Sequence, residues 1–411
     1  MSIDCDAPRA KNAVIGSIGC DMPHAKNAVI IGSTGSIGGQ ALEVIRDGVD
    51  VDVFALSCGG NLELFKRQIE EFSPRYIYAE ALASDAKARK NFLSSLRTAN
   101  GARSPEFAAS NAELAAIDGA DTVLLASAGL AGIEPAIAAL KSGKTLALAS
   151  KEALVSAGEF LLLEAERSGG KIIPVDSEHS AIFQCLEGAC GNPIKRIILT
   201  ASGGAFRDYP LERMKTVTPE EALAHPVWRM GKKVTIDSAS LMNKGLEFIE
   251  AMRLFSVSPD KIEVVIHRES IVHSAVEFYD NAVIAMLAPP DMRIPIRYAL
   301  TYPKRVQGLP DALDFAALQT LTFGKPDLIR FPCLGLAISA AKEGGAAPAV
   351  LCAADNAAVA LFLQKKIGFT DIPRLTEGAL NRYSREKYAG VEDLIRIINA
   401  AEKYTYTEAC V

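Results

Sequence analysis

The feature that most constrains this chain is a short apolar run that ends in a glycine-rich turn. Ala28-Val29-Ile30-Ile31 is followed at once by Gly32-Ser33-Thr34-Gly35-Ser36-Ile37-Gly38, and residues 40–45 then read as a helix. A fully apolar run of this length is the mark of a buried parallel strand. Strand, glycine turn and helix in that order lay a pyrophosphate on the free N–H groups of the helix start. The glycines permit a tight turn and close backbone approach. The spacing here is GxxGxxG rather than GxGxxG. The plainer alternative is a tight strand-to-helix turn with no ligand.

The pattern continues. Residues 51–56, 74–78, 122–126 and 145–149 read as strands, separated by Ala-rich helical stretches, with a helix over 135–140. This βαβα alternation over residues 28–150 predicts a Rossmann-like, doubly wound parallel sheet. After the second strand stand Ser57-Cys58-Gly59-Gly60-Asn61. An acid at that point would hold a ribose 2′-OH and favour NAD. None is present, so a 2′-phosphate is not repelled, and Lys66 or Arg67 stands nearby. The strand over 145–149 ends in Ser150-Lys151-Glu152, at the carboxyl edge where such a sheet binds its ligand.

Composition narrows the class of protein. With 411 residues, two or three domains are expected. A net charge of −5 argues against nucleic-acid and anionic-membrane partners, which need a basic surface. No apolar run reaches the roughly 20 residues that span a bilayer. The 8 cysteines form no CxxC pair, so zinc-ribbon and redox motifs are excluded and reduced core thiols of a cytosolic protein are expected. Asp4 and Asp6 stand where the apolar region of a secretory signal would be. Residues 5–15 are nearly repeated by residues 20–30, and only the second copy runs on into the full glycine turn. Residues 1–25 are therefore expected to be a loosely ordered duplicated extension.

Three further stretches carry chemistry. Residues 171–175 read as a strand ending in Asp176-Ser177-Glu178-His179-Ser180. Two carboxylates at i and i+2 suit a hard divalent cation if the chain turns there. The alternative is a capping Asp with solvent-facing acids. Residues 196–200 lead into Ser202-Gly203-Gly204, a weak second phosphate cradle. The densest stretch is 225–250, HPVWRMGKKVTIDSASLMNKGLEFIE, which holds Trp228, the only Trp of the chain. Its first part lacks any period and reads as a mobile loop. Val234-Thr235-Ile236 reads as a short strand. Asp237 or Ser238 is expected to cap a helix. From Ala239 on, Ser240, Asn243 and Glu247 are expected to share one helical face toward a polar cavity, flanked by Lys244.

Beyond it, residues 262–267 and 270–279 look like paired strands, and 281–287 adds a third, giving an antiparallel or mixed sheet. Residues 302–327 read as a linker, and the last 80 or so as a helical bundle. The expected class is α/β. It has a dinucleotide-binding domain over 26–175, a central α+β domain over 176–301 with a lid near 224–233, and a helical domain over 328–411.

Glu247 would complete a metal set with Asp176 and Glu178. Acids alone imply Mg²⁺ or Mn²⁺ rather than zinc. Ser177, Ser202, Ser238, Asn243 and Lys244 suit a phosphorylated, hydroxylated substrate, with Lys as the point charge. The loop of His225, Trp228 and Met230 would close over it and exclude water.

In order along residues 27–400, the glycine turn, Val175 to Ser180, Ser202 to Gly204, His225-Pro226-Val227-Trp228, Asp237-Ser238, Met242 to Glu247, Ser270 to Ser274 and Pro290 to Arg293 resemble the 1-deoxy-D-xylulose 5-phosphate reductoisomerase family. The resemblance implies an NADPH-dependent enzyme of the non-mevalonate isoprenoid pathway. It implies a cytoplasmic, bacterial-type homodimer that rearranges and reduces a sugar phosphate. Asp176, Glu178 and Glu247 would hold Mg²⁺ or Mn²⁺. Lys151, Glu178, His225 and Glu247 would be catalytic. Ser177, Glu178, Ser202, His225, Ser238, Asn243, Lys244 and Glu247 would meet the substrate. Thr34, Gly35, Ser36, Ile37, Gly59, Gly60, Asn61, Ser150, Lys151, Glu152 and Gly231 would meet the cofactor. Two places depart from the family pattern. Ser150 stands where Asn is common, and Gly60-Asn61 where a basic residue is frequent. Two other readings keep the glycine turn. A different NADP-linked dehydrogenase would survive chelation, and a non-catalytic nucleotide-binding protein would form no product.

Overall fold

Asn27–Ile31 forms strand β1, and its residues 28–31 are fully buried, as an apolar run between two helical layers must be. The structure, a computed structural model, describes residues 27–97, 104–127, 129–189, 191–308 and 312–410. The duplicated segment expected over residues 1–25 lies outside them.

Six more strands join β1: β2 (Asp52–Cys58), β3 (Tyr76–Ala79), β4 (Glu106–Phe107), β5 (Thr122–Leu125), β6 (Thr145–Leu148) and β7 (Lys171–Pro174). All pair in parallel, in the order β4-β3-β2-β1-β5-β6-β7. The winding direction reverses between β1 and β5, which opens a crevice beyond their carboxyl ends. Pro174 is tolerated because β7 is an edge strand.

The glycine turn fills that crevice's floor. Gly32 has φ +85°, and a Cβ there would lie 2.7 Å from the Ala126 carbonyl oxygen. A Cβ on Gly38 would overlap the Gly32 carbonyl, so the helix Ser36–Arg46 seats directly on the turn. The turn is also pinned from β2 and the next helix. Ser33 N donates to Ser57 O at 2.8 Å, Ser33 Oγ donates to Gln68 Oε1 at 2.8 Å, and Gln68 Nε2 donates to Ser33 O at 2.9 Å.

A second sheet contains β8 (Ile194–Ala201), β9 (Ile262–Ile266), β10 (Val272–Phe278) and β11 (Val283–Leu287), in the order β11-β10-β8-β9. β8 and β9 are parallel, and β10 is antiparallel to both of its neighbours, so the sheet is mixed. The expected pairing of 262–267 with 270–279 does not occur, because β8 lies between them. The long connection between β8 and β9 acts as a crossover and returns β9 parallel to β8, leaving the other edge of β8 to β10.

That connection corrects a second expectation. Residues 234–236 are not a strand but lie in the helix Lys232–Ser240, and Asp237 and Ser238 are inside it rather than at its cap. Thr235 Oγ1 donates to Gly231 O at 2.9 Å, and Ile236 is fully buried. Tertiary burial decides the state of a β-branched run whose intrinsic preference is weak. Leu241, at φ +60°, then breaks the helix, and Met242–Leu254 begins anew. The break takes Ser240 off the expected face. Its hydroxyl bonds Asp237 O and Met242 N instead.

The chain ends in four helices, Pro332–Glu343, Ala347–Leu363, Asp371–Tyr383 and Val391–Glu408. Ala347–Leu363 is their centre, buried nearly all round, and it also packs on the helices Lys151–Ser168 and Lys232–Ser240. Before them, residues 302–327 carry only the short helix Phe315–Leu318 and a bridge between Gly324 and Ile266 among the described residues. No helix among the described residues is long and apolar enough to cross a membrane.

Candidate active site

Three elements bring three acids to one point. β7 stops at Pro174, and Asp176 becomes the N-cap of the helix Ser177–Glu187, its carboxylate accepting from Glu178 N at 3.3 Å. Glu178 is in the first turn of the same helix, so the chain turns where the i, i+2 spacing required it to. Glu247 arrives from the middle of Met242–Leu254 and is 1% exposed. Carboxylate oxygens of Asp176, Glu178 and Glu247 all lie within 4.8 Å of one another. Asp176 thus both caps its helix and faces the other acids.

Two lysines are set among them. Lys151 Nζ pairs with Asp176 and lies 3.1 Å from Glu247 Oε1. Lys244 Nζ pairs with Glu247 and lies 2.7 Å from Glu178 Oε1. Burial opposes charge on Lys151, yet Asp176 and Glu247 outweigh it and hold the ammonium well above its usual range. Burial, with Glu247 close by, pushes the Glu178 carboxyl up to about 7. Glu250, one helical turn beyond Glu247, is also pushed up to about 7 by burial. Burial would depress His179, but Glu250 and Asp176 raise it to about 9; its Nε2 donates to Glu247 O at 2.9 Å. A crowd of hard oxygen donors that repel one another fits a divalent hard cation. Asn243 reaches the same centre, its Nδ2 donating to Glu247 Oε1 at 2.5 Å while its Oδ1 has no partner.

The turn after β8 forms the opposite wall. Gly204, at φ +72°, has no room for a Cβ because the Ser238 carbonyl is against it. That contact sets the turn bearing Ser202 against the helix bearing Ser238. Arg207 Nη1 donates to Ser202 O at 3.0 Å. His225 Nδ1 accepts from Val227 N and Trp228 N at 3.1 and 2.8 Å, so its proton is on Nε2, 3.0 Å from Ser202 Oγ. Burial, assisted by the Arg207 charge, pushes this imidazole down to about 4 and keeps it neutral. The Trp228 ring meets His273 edge-on, with centroids 5.9 Å apart.

The three acids, the two lysines, Asn243, Ser202, Ser238 and Trp228 line one cavity of about 760 Å³ at the crevice beyond β1 and β5. Gly35, Ser36, Ile37, Ser150, Lys151, Glu152 and Gly231 line its dinucleotide side, as expected. Ser177, Ser202, Ser238, Asn243, Lys244 and the three acids line the other. Four expected cofactor residues stand outside the lining. Thr34 lies within the turn but off the lining, Gly59 and Gly60 are exposed after β2, and Asn61 caps the helix Leu62–Phe72 by accepting from Leu64 N at 3.2 Å. His225 also stands back from the cavity, behind Ser202. Sequence reasoning passed over Gln40, Ser127, Lys233 and Asn356, which line the cavity. Ser127 and Ser150 present buried hydroxyls with no hydrogen-bond partner, the condition expected of a wall that a polar ligand completes.

A doubly wound sheet, a glycine turn and a three-carboxylate centre sharing one cavity define a class: dinucleotide-dependent oxidoreductases that use a hard metal ion. Models of the 1-deoxy-D-xylulose 5-phosphate reductoisomerase family match residues 28–158, and models of its C-terminal domains match residues 172–255 and 287–404. The reductoisomerase of Agathobacter rectalis is 47% identical over 375 residues, covering 91% of this chain and 97% of the relative. That of Heliobacterium modesticaldum is 50% identical over 361 residues, covering 87% and 91%. The Zymomonas mobilis reductoisomerase in complex with NADPH superposes with a TM-score of 0.82 at 39% identity, over 94% of this chain and 99% of that one. A reductoisomerase complex with NADPH, fosmidomycin and magnesium gives 0.86 at 35% identity, over 93% and 98%. The chain belongs to the 1-deoxy-D-xylulose 5-phosphate reductoisomerase family.

Proposed function

We propose that this chain rearranges 1-deoxy-D-xylulose 5-phosphate and reduces the product to 2-C-methyl-D-erythritol 4-phosphate, using NADPH and a divalent cation, in non-mevalonate isoprenoid synthesis. One observation carries the reading: the acids Asp176, Glu178 and Glu247 and the glycine turn open into the same cavity. The reading rests equally on the family to which the chain belongs.

Asp176, Glu178 and Glu247 would hold Mg²⁺ or Mn²⁺, which would supply Lewis acidity for the retro-aldol/aldol rearrangement. NADPH, when bound, would supply the hydride for the reduction. Gly35, Ser36 and Ile37 offer backbone N–H groups to its pyrophosphate. Ser150, Lys151, Glu152 and Gly231 border its reactive end. No acid among Ser57 to Asn61 opposes a 2′-phosphate; Thr34, Gly59, Gly60 and Asn61 belong to that outer end. Ser202, Ser238, Asn243 and Lys244 hold the phosphate of the substrate, and Ser177 and Glu178 its hydroxyl groups. Neutral His225 donates from Nε2 and steadies Ser202. Lys151 Nζ, between the acids and the dinucleotide side, would be the proton donor to a substrate oxygen. Trp228, over His273, closes the mouth and excludes water.

The domain division is 26–175, 176–301, a linker over 302–327 and 328–411. The outer edge of the second sheet supports a homodimer: on β11 Val283 is 52% and Ile284 41% exposed, with Tyr279 at 61% beside them. A bacterial-type cytoplasmic enzyme without nucleic-acid or membrane partners is consistent with the charge.

The test is NADPH oxidation with 1-deoxy-D-xylulose 5-phosphate, Mg²⁺ or Mn²⁺, and then a chelator. Turnover that needs both substrate and metal is expected. Absence of turnover in folded, metal-replete protein overturns the reading.

A further inference from the structure

A buried acid at the centre of the helical bundle has no role in the reaction described above. Asp355 lies on Ala347–Leu363, is 0% exposed, and sits among Ala, Val and Leu side chains of that helix. Neither of its oxygens makes a hydrogen bond of good geometry. Its partner is Lys233, whose Nζ is 2.9 Å from Asp355 Oδ2 and 2.6 Å from Asp237 Oδ2. Apolar residues in place of a buried ion cluster are commonly neutral or stabilising. Stability alone therefore gives no reason for an acid here.

The placement gives one. Lys233 is in the first turn of Lys232–Ser240, whose N-cap, Gly231, makes no side-chain cap bond. The Trp228 segment ends at that cap. Ser238 follows Asp237, and its carbonyl abuts Gly204 of the turn bearing Ser202. Lys233, Asp237 and Ser238 all line the cavity. The start of this helix is thus held by an ion cluster to the bundle, where a capping side chain would otherwise hold it. Burial and the nearness of Asp355 push Asp237 well above the usual carboxylate range, against the pull of Lys233.

We infer that Asp355 is a positioning residue for the substrate's phosphate end: through Lys233 and Asp237 it ties the helix carrying Ser238, and the Trp228 segment before it, to the C-terminal bundle. The inference rests on the function proposed above.

The experiment uses full-length Asp355→Asn, Asp355→Leu, Lys233→Met and the Lys233→Met/Asp355→Leu pair. The single Trp makes emission from Trp228 a direct report on the segment. Each single variant should raise KM for 1-deoxy-D-xylulose 5-phosphate roughly tenfold, about 1.4 kcal/mol, and shift the substrate midpoint of the Trp228 emission change by the same factor. NADPH affinity should stay within about twofold. The pair should add nothing to the singles, as residues of one network do. Asp355→Leu leaves no unpaired acid in the bundle and serves where Asp355→Asn fails to fold. A lowered melting temperature with KM and the Trp228 midpoint unchanged, or additive effects in the pair, overturns the positioning role alone. Wild-type protein that does not turn over this substrate overturns the proposed function and, with it, this inference.

Discussion

Lys151 Nζ lies 3.1 Å from Glu247 Oε1, and through that contact the first residue of the helix after β6 meets the middle of Met242–Leu254, 96 residues away. The glycine-turn side and the carboxylate side of the cavity touch there. An ammonium at this position offsets the charge of the buried acids around it.

Glu247→Gln removes the charge of one proposed metal ligand while keeping size and burial. Turnover should fall by roughly three orders of magnitude, since a Lewis-acid centre supplies several kcal/mol. NADPH binding and the circular dichroism spectrum should be unchanged. Near-normal kcat in this variant would remove Glu247 from the metal set.

Chelation should abolish turnover, and Mg²⁺ or Mn²⁺ should restore it. Metal that binds only the folded state stabilises by mass action, about 2.7 kcal/mol at a hundredfold excess over Kd. A thermal-shift titration should therefore show a Tm rising with Mg²⁺ in the wild type and little or no rise in Glu178→Gln. Equal rises in both proteins would show that the stabilising ion binds elsewhere.

Trp228→Ala should raise KM for the sugar phosphate roughly tenfold and leave NADPH affinity nearly unchanged, because the indole rests on His273 at the substrate mouth. Steady-state kinetics with each substrate varied in turn decides this. Equal effects on both would contradict a role confined to substrate closure.

His225 titrates lower in the fold, about 4, than the usual 6.5 or so of a free imidazole. Protonation is thus disfavoured by the native state. Its contribution to stability is complete above about pH 6.5 and is lost as pH falls towards 4. His225→Gln should flatten the fall of Tm across that window. It should also weaken substrate binding, since Ser202 loses its partner. A Tm profile with the wild-type slope would mean that other groups govern acid lability.

Gly38→Ala places a methyl against the Gly32 carbonyl. The helix Ser36–Arg46 must move off the turn, at a cost of about 1–3 kcal/mol. NADPH affinity should fall by a corresponding ten- to hundredfold, while Mg²⁺ binding persists. Isothermal titration of the two ligands separates these outcomes.

Much of the site was legible in the chain itself. The apolar run before Gly32 could only be buried on both sides, so the parallel strand and its ligand turn followed from local chemistry. Asp176, Glu178 and Glu247 were readable as one set because acids are costly to bury without a cation or a base. Their lysine partners were named but not paired, since Lys151 and Lys244 meet the acids across long sequence separations.

Three features were decided only by tertiary structure. Residues 234–236 have a β preference, yet burial on the bundle makes them helical, and the left-handed Leu241 then separates Ser240 from Asn243 and Glu247. β8 enters between β9 and β10, which no local signal distinguishes from a hairpin. Asp355, in an Ala-rich helix that reads as core, becomes the partner of Lys233 only once the bundle docks beside the cavity. Periodicity and residue chemistry are properties of neighbours in the chain and determined the strands, the glycine turn and the acids. Which buried charge meets which, and which strand lies beside which, depends on contacts between distant segments, and only the folded arrangement supplies those.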